Sequence, residues 1–256
     1  MEPTLKITPD SIREAKTRGE KVAALTAYDY PMARLLDEAG VPLILVGDSV
    51  GMVVLGYPDT TQVTLAEMRH HVAAVARAKT KALVVADLPY HTYQTAQNAV
   101  ANAHILIEAG AEAIKLEGGA AVVPEIQALR EAGIFVVGHI GMLPQHVKEE
   151  GGYKIKGRSE VEKERLLVDA LAVEKAGAFA LVMELVEAET AREITAQLSI
   201  PTIGIGSGPH CYGQIMVTHD LIGSFPWFRP KFAVAKADVA SAIRDAAAGF
   251  VREVKG

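Results

Sequence analysis

The segment ALVVADLP, residues 82–89, and the segment AIKLEGG, residues 113–119, carry the pattern that decides the fold. Each is a short and almost continuously apolar run that ends near a carboxylate and a turn, which is typical of a strand buried on both faces. Residues 95–109 lie between the two segments and have the apolar spacing of a helix. A strand, a helix and a second strand in this order predict two parallel strands joined by a crossover helix.

The same unit recurs along the chain, so that eight strands are predicted. The other six are VAALTAYD at 22–29, PLILVGDS at 42–49, FVVGHIGM at 135–142, FALVMELV at 179–186, PTIGIGSG at 201–208 and QIMVTHD at 214–220. Helices are predicted near 31–39, 65–79, 95–109, 122–132, 159–176, 188–198 and 236–253. Eight strands alternating with helices in a chain of 256 residues predict a single (β/α)₈-barrel domain over residues 1–256.

Three segments depart from a plain repeat of this unit. Thr8 followed by Pro9 predicts the start of an extra N-terminal helix, which could close the floor of the barrel. Residues 208–213 are too few for a full crossover helix, so the connection between the last two strands must be abbreviated. The segment GGYKIKGR, residues 151–158, follows the fifth strand on the side where barrel active sites are built, and we expect a mobile flap there.

Composition limits the class of partner. The formal net charge is −5 and the Lys and Arg residues are scattered, which disfavours nucleic acid and anionic membrane surfaces and favours small molecules. The only cysteine, Cys211, cannot form an intramolecular disulfide, and residues 1–10 lack the layout of a secretory signal. The apolar runs are also shorter than the roughly 18 to 20 residues of a membrane span. We therefore expect a soluble cytoplasmic protein.

Polar side chains collect at the carboxyl ends of the predicted strands. They are Asp29, Asp48, Ser49, Asp87, Lys115, Glu117, His139, Glu184, Ser207 and His219. In a barrel these ends meet at one mouth. Four carboxylates, those of Asp48, Asp87, Glu117 and Glu184, would face each other there, which is costly unless a cation or shared protons neutralise them. The ligand set is rich in oxygen and free of thiols, which favours Mg²⁺ or a similar hard ion over a structural zinc.

Several ungapped motifs at this point resemble the ketopantoate hydroxymethyltransferase family, in the order and at the spacing of that family. They are LTAYDYPMARLLDEAG, LVGDSVGMVVLGYPDTTQVT, ADLPY, IKLEGG, VVGHIGMLPQ, GGYKIKGR and IPTIGIGSGP. The resemblance implies a TIM barrel of the phosphoenolpyruvate/pyruvate type. It also implies transfer of a hydroxymethyl group from 5,10-methylenetetrahydrofolate to 3-methyl-2-oxobutanoate, giving 2-dehydropantoate for pantothenate and coenzyme A synthesis, in a homo-oligomer that is a decamer.

The resemblance also implies roles for individual residues. The metal ligands fall on Asp48 and Asp87, with Glu117 completing the site directly or through water, and the catalytic base falls on Glu184. The substrate contacts fall on Asp48, Ser49, Asp87, Lys115 and His139. Elementary chemistry is consistent with these roles, because Mg²⁺ can orient a 2-oxo acid and stabilise its enolate, while a free carboxylate removes the proton next to the keto group.

Simpler interpretations of the same residues remain open. Lys115 and Glu117 could form an ordinary ion pair at the rim, and His139 could be a structural histidine. Asp29 and Glu187 could be turn or cap residues, and we leave both out of the predicted site. At the level of the whole protein, the alternatives are a metal-dependent carbon–carbon lyase of the same barrel group and a binding or regulatory protein on a degenerate barrel.

Overall fold

The eight predicted strands all form, and they close into a parallel barrel. In the computed structural model, which describes residues 5–256, each strand lies beside the next one along the chain and the sheet is closed. The strands are β1 (Val22–Thr26), β2 (Leu43–Val46), β3 (Leu83–Asp87), β4 (Ala113–Glu117), β5 (Val136–Gly141), β6 (Ala180–Glu184), β7 (Thr202–Ile205) and β8 (Gly213–Met216). The predicted (β/α)₈ barrel is confirmed.

The predicted helices are present as well. They are α1 (Pro9–Ala15), α2 (Tyr30–Glu38), α4 (Leu65–Ala76), α5 (Ala96–Glu108), α6 (Val123–Glu131), α7 (Glu160–Lys175), α8 (Ala188–Gln197) and α10 (Val239–Lys255). Two short helices, α3 (Val50–Val53) and α9 (Thr218–Ile222), were not predicted. Among residues 5–256, no helix is both long enough and apolar enough to cross a membrane.

Alternate residues along the strands face two separate apolar layers. Leu45 of β2 and Val85 of β3 point into the barrel, whereas Ile44 and Val84 pack outward beneath the helices. Because successive side chains of a strand point to opposite faces, nearly every strand residue must be apolar. This is why the strands appear in the sequence as continuous apolar runs.

The N-terminal helix closes one end of the barrel interior, as predicted. The Thr8 hydroxyl accepts a hydrogen bond from the Ser11 N–H, and the Ser11 hydroxyl accepts one from the Thr8 N–H, which forms a capping box at the start of α1. Ile12 and Ala15 of α1 are buried in the same apolar cluster as the inward-facing residues of the strands. The polar mouth must therefore lie at the opposite end.

The chain divides into two compact units, one ending at Ile215 and one over Met216–Gly256. In the first unit, β7 is followed by β8 without a helix between them, so the abbreviated connection is confirmed. The predicted eighth strand was too long, because Thr218 begins α9 and Gly223, with φ +65°, caps that helix. The second unit contains α9 and α10, and the assignment of one domain over the whole chain stays a prediction.

Candidate active site

The strand register brings the predicted polar residues of the central strands together. Asp87 of β3 is paired with Lys115 of β4, and Glu117 of β4 is paired with His139 of β5. Residues 115 and 117 are two apart, so their side chains lie on the same face of β4. All four side chains are buried, with exposed fractions of 5% or less.

Asp48 joins this group from the end of β2. Its backbone N–H donates to Asp87 Oδ2 at 3.1 Å, and its own Oδ2 accepts from Gln145 Nε2 at 2.8 Å. The next residue, Ser49, forms a hydrogen bond of 2.8 Å between its hydroxyl and that of Tyr28. The end of β2 is therefore held both by its neighbouring strand and by side chains from two loops.

Lys115 places a positive charge at the centre of the carboxylates. Its ammonium lies 2.9 Å from Asp87 Oδ1 and 3.3 Å from His139 Nδ1. Burial alone would lower the pKa of this lysine, but the charges of Asp87 and Glu117 raise it above its usual value. The neighbouring carboxylates thus favour the charged form of Lys115, and the interpretation of Lys115 and Glu117 as an ordinary ion pair at the rim is wrong, because both side chains are buried.

His139 lies between two of the carboxylates. Its Nδ1 is 3.5 Å from Glu117 Oε1, and its Nε2 is 3.5 Å from Glu184 Oε2. Burial, followed by the charge of Lys115, lowers the pKa of His139, so the ring is neutral near pH 7. Nε2 is buried and has no hydrogen-bond partner among the described residues, and such an atom is suited to contact a ligand.

Glu184 ends β6 and is followed by an unusual turn. Leu185 has φ +48°, a conformation rare for a residue with a branched side chain. The Ser207 hydroxyl stabilises the turn, since it donates to Met183 O at 2.7 Å and accepts from Val186 N at 2.9 Å. Strain of this kind persists only where surrounding contacts enforce it, and here those contacts fix the backbone at Glu184.

Gly141 of β5 leaves the space that this turn needs. It is paired with Glu184, has φ +97°, and lies so close that a Cβ atom would be 2.3 Å from Glu184 O. The following residue, Met142, donates its N–H to the same carbonyl at 2.8 Å. Any side chain at residue 141 would therefore displace Glu184.

Four carboxyl groups, those of Asp48, Asp87, Glu117 and Glu184, share this region with the buried Lys115. Burial, and then the charges of Asp87 and Glu117, raise the pKa of Asp48 well above its usual value, and burial also raises the pKa of Asp87. Burial and then Glu117 raise the pKa of Glu184 well above that of an ordinary glutamate. Each shift shows that ionising another carboxylate here is costly without additional positive charge.

A hard divalent cation fits this donor set. No group of three or more His, Cys, Asp or Glu side chains in residues 5–256 is arranged so that it could hold a metal ion. Mg²⁺ is commonly bound by one or two carboxylates, with water and substrate oxygens completing its shell. The predicted set of Asp48, Asp87 and Glu117 is not among such groups, so the cation stays a prediction, for which Asp48 and Asp87 offer a carboxylate pair.

The predicted flap, residues 151–158, is anchored at one end. Lys156 forms a parallel bridge with Val186, in which the Lys156 N–H donates to Leu185 O at 2.8 Å. The Lys156 ammonium pairs with Glu150, and Lys154 Nζ donates to Glu150 O at 2.5 Å. Tyr153 and Ile155 of the same segment are 44% and 42% exposed, so the segment combines a backbone anchor at Lys156 with exposed apolar side chains.

Other polar residues at strand ends have structural functions. Asp29 caps α2 by accepting from Met32 N, and Glu187 caps α8 by accepting from Thr190 N. Their interpretation as cap residues is confirmed. Ser207 stabilises the turn after β6, while His219 lies within α9 and not at a strand end.

Sequence reasoning missed Gln145 and Tyr28. Gln145 is 1% exposed and binds Asp48, and the Tyr28 hydroxyl binds Ser49. Both residues lie in motifs quoted above, VVGHIGMLPQ and LTAYDYPMARLLDEAG. Neither is charged, however, so the pattern of carboxylates and bases at the strand ends does not include them.

The family model and the curated relatives that match this chain belong to one family. The sequence model of the family described as Ketopantoate hydroxymethyltransferase matches residues 6–256. The 3-methyl-2-oxobutanoate hydroxymethyltransferase of Caldivirga maquilingensis is 55% identical over 98% of this chain and 94% of the relative, and that of Ignicoccus hospitalis is 51% identical over 98% and 95%.

Solved structures show the same barrel at much lower identity. A phosphonopyruvate hydrolase bound to oxalate and Mg²⁺ has a TM-score of 0.69 at 16% identity, covering 96% of this chain and 87% of the other. The 2,3-dimethylmalate lyase, a member of the PEP mutase/isocitrate lyase superfamily, has a TM-score of 0.66 at 19% identity, with coverage of 95% and 87%. These similarities support the (β/α)₈-barrel fold alone.

Proposed function

The chain belongs to the ketopantoate hydroxymethyltransferase family, and we propose that it transfers a hydroxymethyl group from 5,10-methylenetetrahydrofolate to 3-methyl-2-oxobutanoate. It is an enzyme of the transferase class. The observation that supports the finer mechanism is the buried group of Asp48, Asp87, Lys115 and His139 at one barrel mouth, with the partly exposed Glu184 beside His139. The product would be 2-dehydropantoate, the precursor of pantothenate.

The substrate-binding side chains suit a 2-oxo acid. Lys115 is buried and charged, so it can attract the carboxylate or keto oxygen of the substrate. Ser49 adds a hydroxyl at the end of β2, and the unpaired Nε2 of neutral His139 adds a donor or acceptor. Together with Asp48 and Asp87, these groups would fix the substrate in one orientation.

Asp48 and Asp87 would hold a divalent cation, with Mg²⁺ the natural candidate, and Glu117 would contribute through a water molecule. A bound cation of this kind would orient the 2-oxo acid and stabilise negative charge on its keto oxygen. Glu117 Oε2 already accepts from Gln145 N at 3.1 Å, and its Oε1 faces His139. This arrangement is better suited to binding a water ligand than to direct coordination.

Glu184 would act as the catalytic base. A useful base has a pKa near the working pH, and burial together with the charge of Glu117 shifts the pKa of Glu184 upward, in that direction. Glu184 removes the proton from C3 of the substrate, and the electron pair of that bond becomes the enolate. Water adds to the methylene carbon of the folate as both of its C–N bonds break, so that the two hydrogens of water pass to the two nitrogens of tetrahydrofolate and the carbon is released as formaldehyde. C3 then forms a bond to this carbon, and the proton held by Glu184 passes to its oxygen to give the hydroxyl group.

The proposal is tested by incubating the purified protein with Mg²⁺, 3-methyl-2-oxobutanoate and methylenetetrahydrofolate and measuring 2-dehydropantoate. In heavy water without folate, the enzyme should also exchange the C3 proton of the substrate for deuterium. Glu184→Gln should retain binding of the oxo acid but lose both reactions, by about 10²- to 10⁴-fold. Exchange at the wild-type rate in this variant would mean that Glu184 is not the base.

A further inference from the structure

Gln145 contacts the candidate site through both its side chain and its backbone. It lies in a short 3₁₀ turn, Pro144–His146, directly after β5. Its side-chain Nε2 donates to Asp48 Oδ2 at 2.8 Å and to Leu88 O at 3.0 Å. Its backbone N–H donates to Glu117 Oε2 at 3.1 Å. One residue thereby connects carboxylates at the ends of β2 and β4.

The orientation of the Gln145 amide is determined by its neighbours. A backbone carbonyl can only accept, so the contact with Leu88 O requires the amide nitrogen on that side. The Tyr93 hydroxyl lies 2.5 Å from Oε1 on the other side of the amide, where it can donate. Both ends of the amide are therefore satisfied, and Gln145 has a single favourable orientation.

Building on the function proposed above, we propose that Gln145 is a positioning residue for the cation-binding carboxylates. By occupying Asp48 Oδ2 with its side chain and Glu117 Oε2 with its backbone, it assigns one oxygen of each carboxylate to the protein. Asp48 Oδ1 is then left for the cation, and Glu117 Oε1, which faces His139, for a water ligand. An amide suits this task because it donates a hydrogen bond without carrying charge. A lysine here would neutralise the carboxylates, and a glutamate would repel them.

The expected effect follows from how such partners act in known metal sites. Removing a hydrogen-bond partner of a metal ligand commonly lowers metal affinity or activity by about 10- to 100-fold. Gln145→Met keeps the length and approximate volume of the side chain but loses both of its hydrogen-bonding groups. Tyr93→Phe removes a single hydroxyl, which contacts Gln145 Oε1 at 2.5 Å and more distantly Glu117 O at 3.3 Å, so it should act in the same direction with a smaller effect.

The test measures Mn²⁺ binding to the substrate-free protein by electron paramagnetic resonance, together with kcat and KM over a range of Mg²⁺ concentrations. Gln145→Met should raise the Kd for Mn²⁺ by about 10- to 100-fold, and added Mg²⁺ should restore part of its activity. A purely structural role would not predict that rescue. Gln127→Met on α6 makes the same chemical change at an exposed residue and should match the wild type.

The outcomes separate this inference from the function on which it rests. Wild-type Mn²⁺ affinity in both Gln145→Met and Tyr93→Phe would overturn the role of Gln145 and leave the cation site intact. Product formation by a wild-type protein that binds no Mn²⁺ and needs no Mg²⁺ would instead overturn the cation site and this inference with it. Circular dichroism of each variant shows whether it is folded. If Gln145→Met is unfolded, the Mn²⁺ affinity of Tyr93→Phe tests the role of Gln145 instead.

Discussion

Gly141→Ala is the substitution for which the structure makes the sharpest quantitative prediction. The new Cβ atom would lie 2.3 Å from Glu184 O and 2.7 Å from Val186 Cγ2. A carbon atom next to a carbonyl oxygen normally lies at about 3.3 Å or more. The two strands must therefore separate by about 1 Å at the residue that we propose as the base.

The expected loss has two components. A shift of about 1 Å in a catalytic group can lower the rate by about 10²-fold. Overpacking typically costs about 1–3 kcal/mol, and the φ of +97° adds roughly 1–2 kcal/mol for a residue with a Cβ atom. We therefore expect a folded but less stable enzyme with deuterium exchange and turnover both reduced by about 10²-fold.

Gly133→Ala is the matched control. Gly133 has φ +78°, but nothing lies within 4 Å of its Cβ position, so alanine there adds backbone strain without a clash. Its exchange rate should equal that of the wild type, while its unfolding free energy falls by about 1–2 kcal/mol. If folded Gly141→Ala exchanges as fast as Gly133→Ala, then Gly141 does not determine the position of Glu184.

Three further predictions concern the cation, the pH dependence and the flap. Asp48→Asn and Asp87→Asn should each weaken Mg²⁺ binding by calorimetry and lower activity by orders of magnitude, whereas unchanged affinity in both would contradict their role as ligands. Because only ionised Glu184 accepts a proton and its pKa is raised, kcat/KM should fall on acidification at a pH above the usual glutamate value of about 4.3. Any residual kcat/KM of Glu184→Gln should not show this fall on acidification. Neutralising Lys154, Lys156 and Arg158 should raise KM for the folate more than KM for the oxo acid, and less so at high salt; equal changes would argue against a folate-specific role.

The sequence predicts the barrel well because its strands are buried on both faces. Runs such as ALVVADLP contain few polar residues, and a polar residue that does occur, such as Asp87, marks the end of a strand. The same logic predicts which carboxylates meet, since parallel strand ends share one edge. The sequence pattern predicts no distances between these side chains, because the distances depend on the strand register. That register pairs Asp87 with Lys115 and Glu117 with His139.

The contacts that position the site were harder to predict, since they join residues far apart in sequence through uncharged groups. Gln145 contacts Asp48 from a separate loop, and nothing in the local pattern of GMLPQ indicates that partner. Leu185 likewise appears in the sequence as a strand residue, although the Ser207 hydroxyl and the space beside Gly141 turn it into the left-handed region. Tertiary contacts have overridden the local preference there.

The turn after β6 also connects the flap to the base, which affects how the flap experiment is interpreted. The Lys156 N–H donates to Leu185 O, and the Glu187 N–H donates to Lys156 O, each at 2.8 Å. These are backbone bonds, so removing the Lys156 ammonium leaves them in place and should leave Glu184 where it is. In the variant with Lys154, Lys156 and Arg158 neutralised, deuterium exchange without folate should therefore be unchanged, even if the KM for the folate rises. A parallel loss of exchange would show instead that the side-chain charges maintain the turn, and the change in folate KM would then reflect a displaced base.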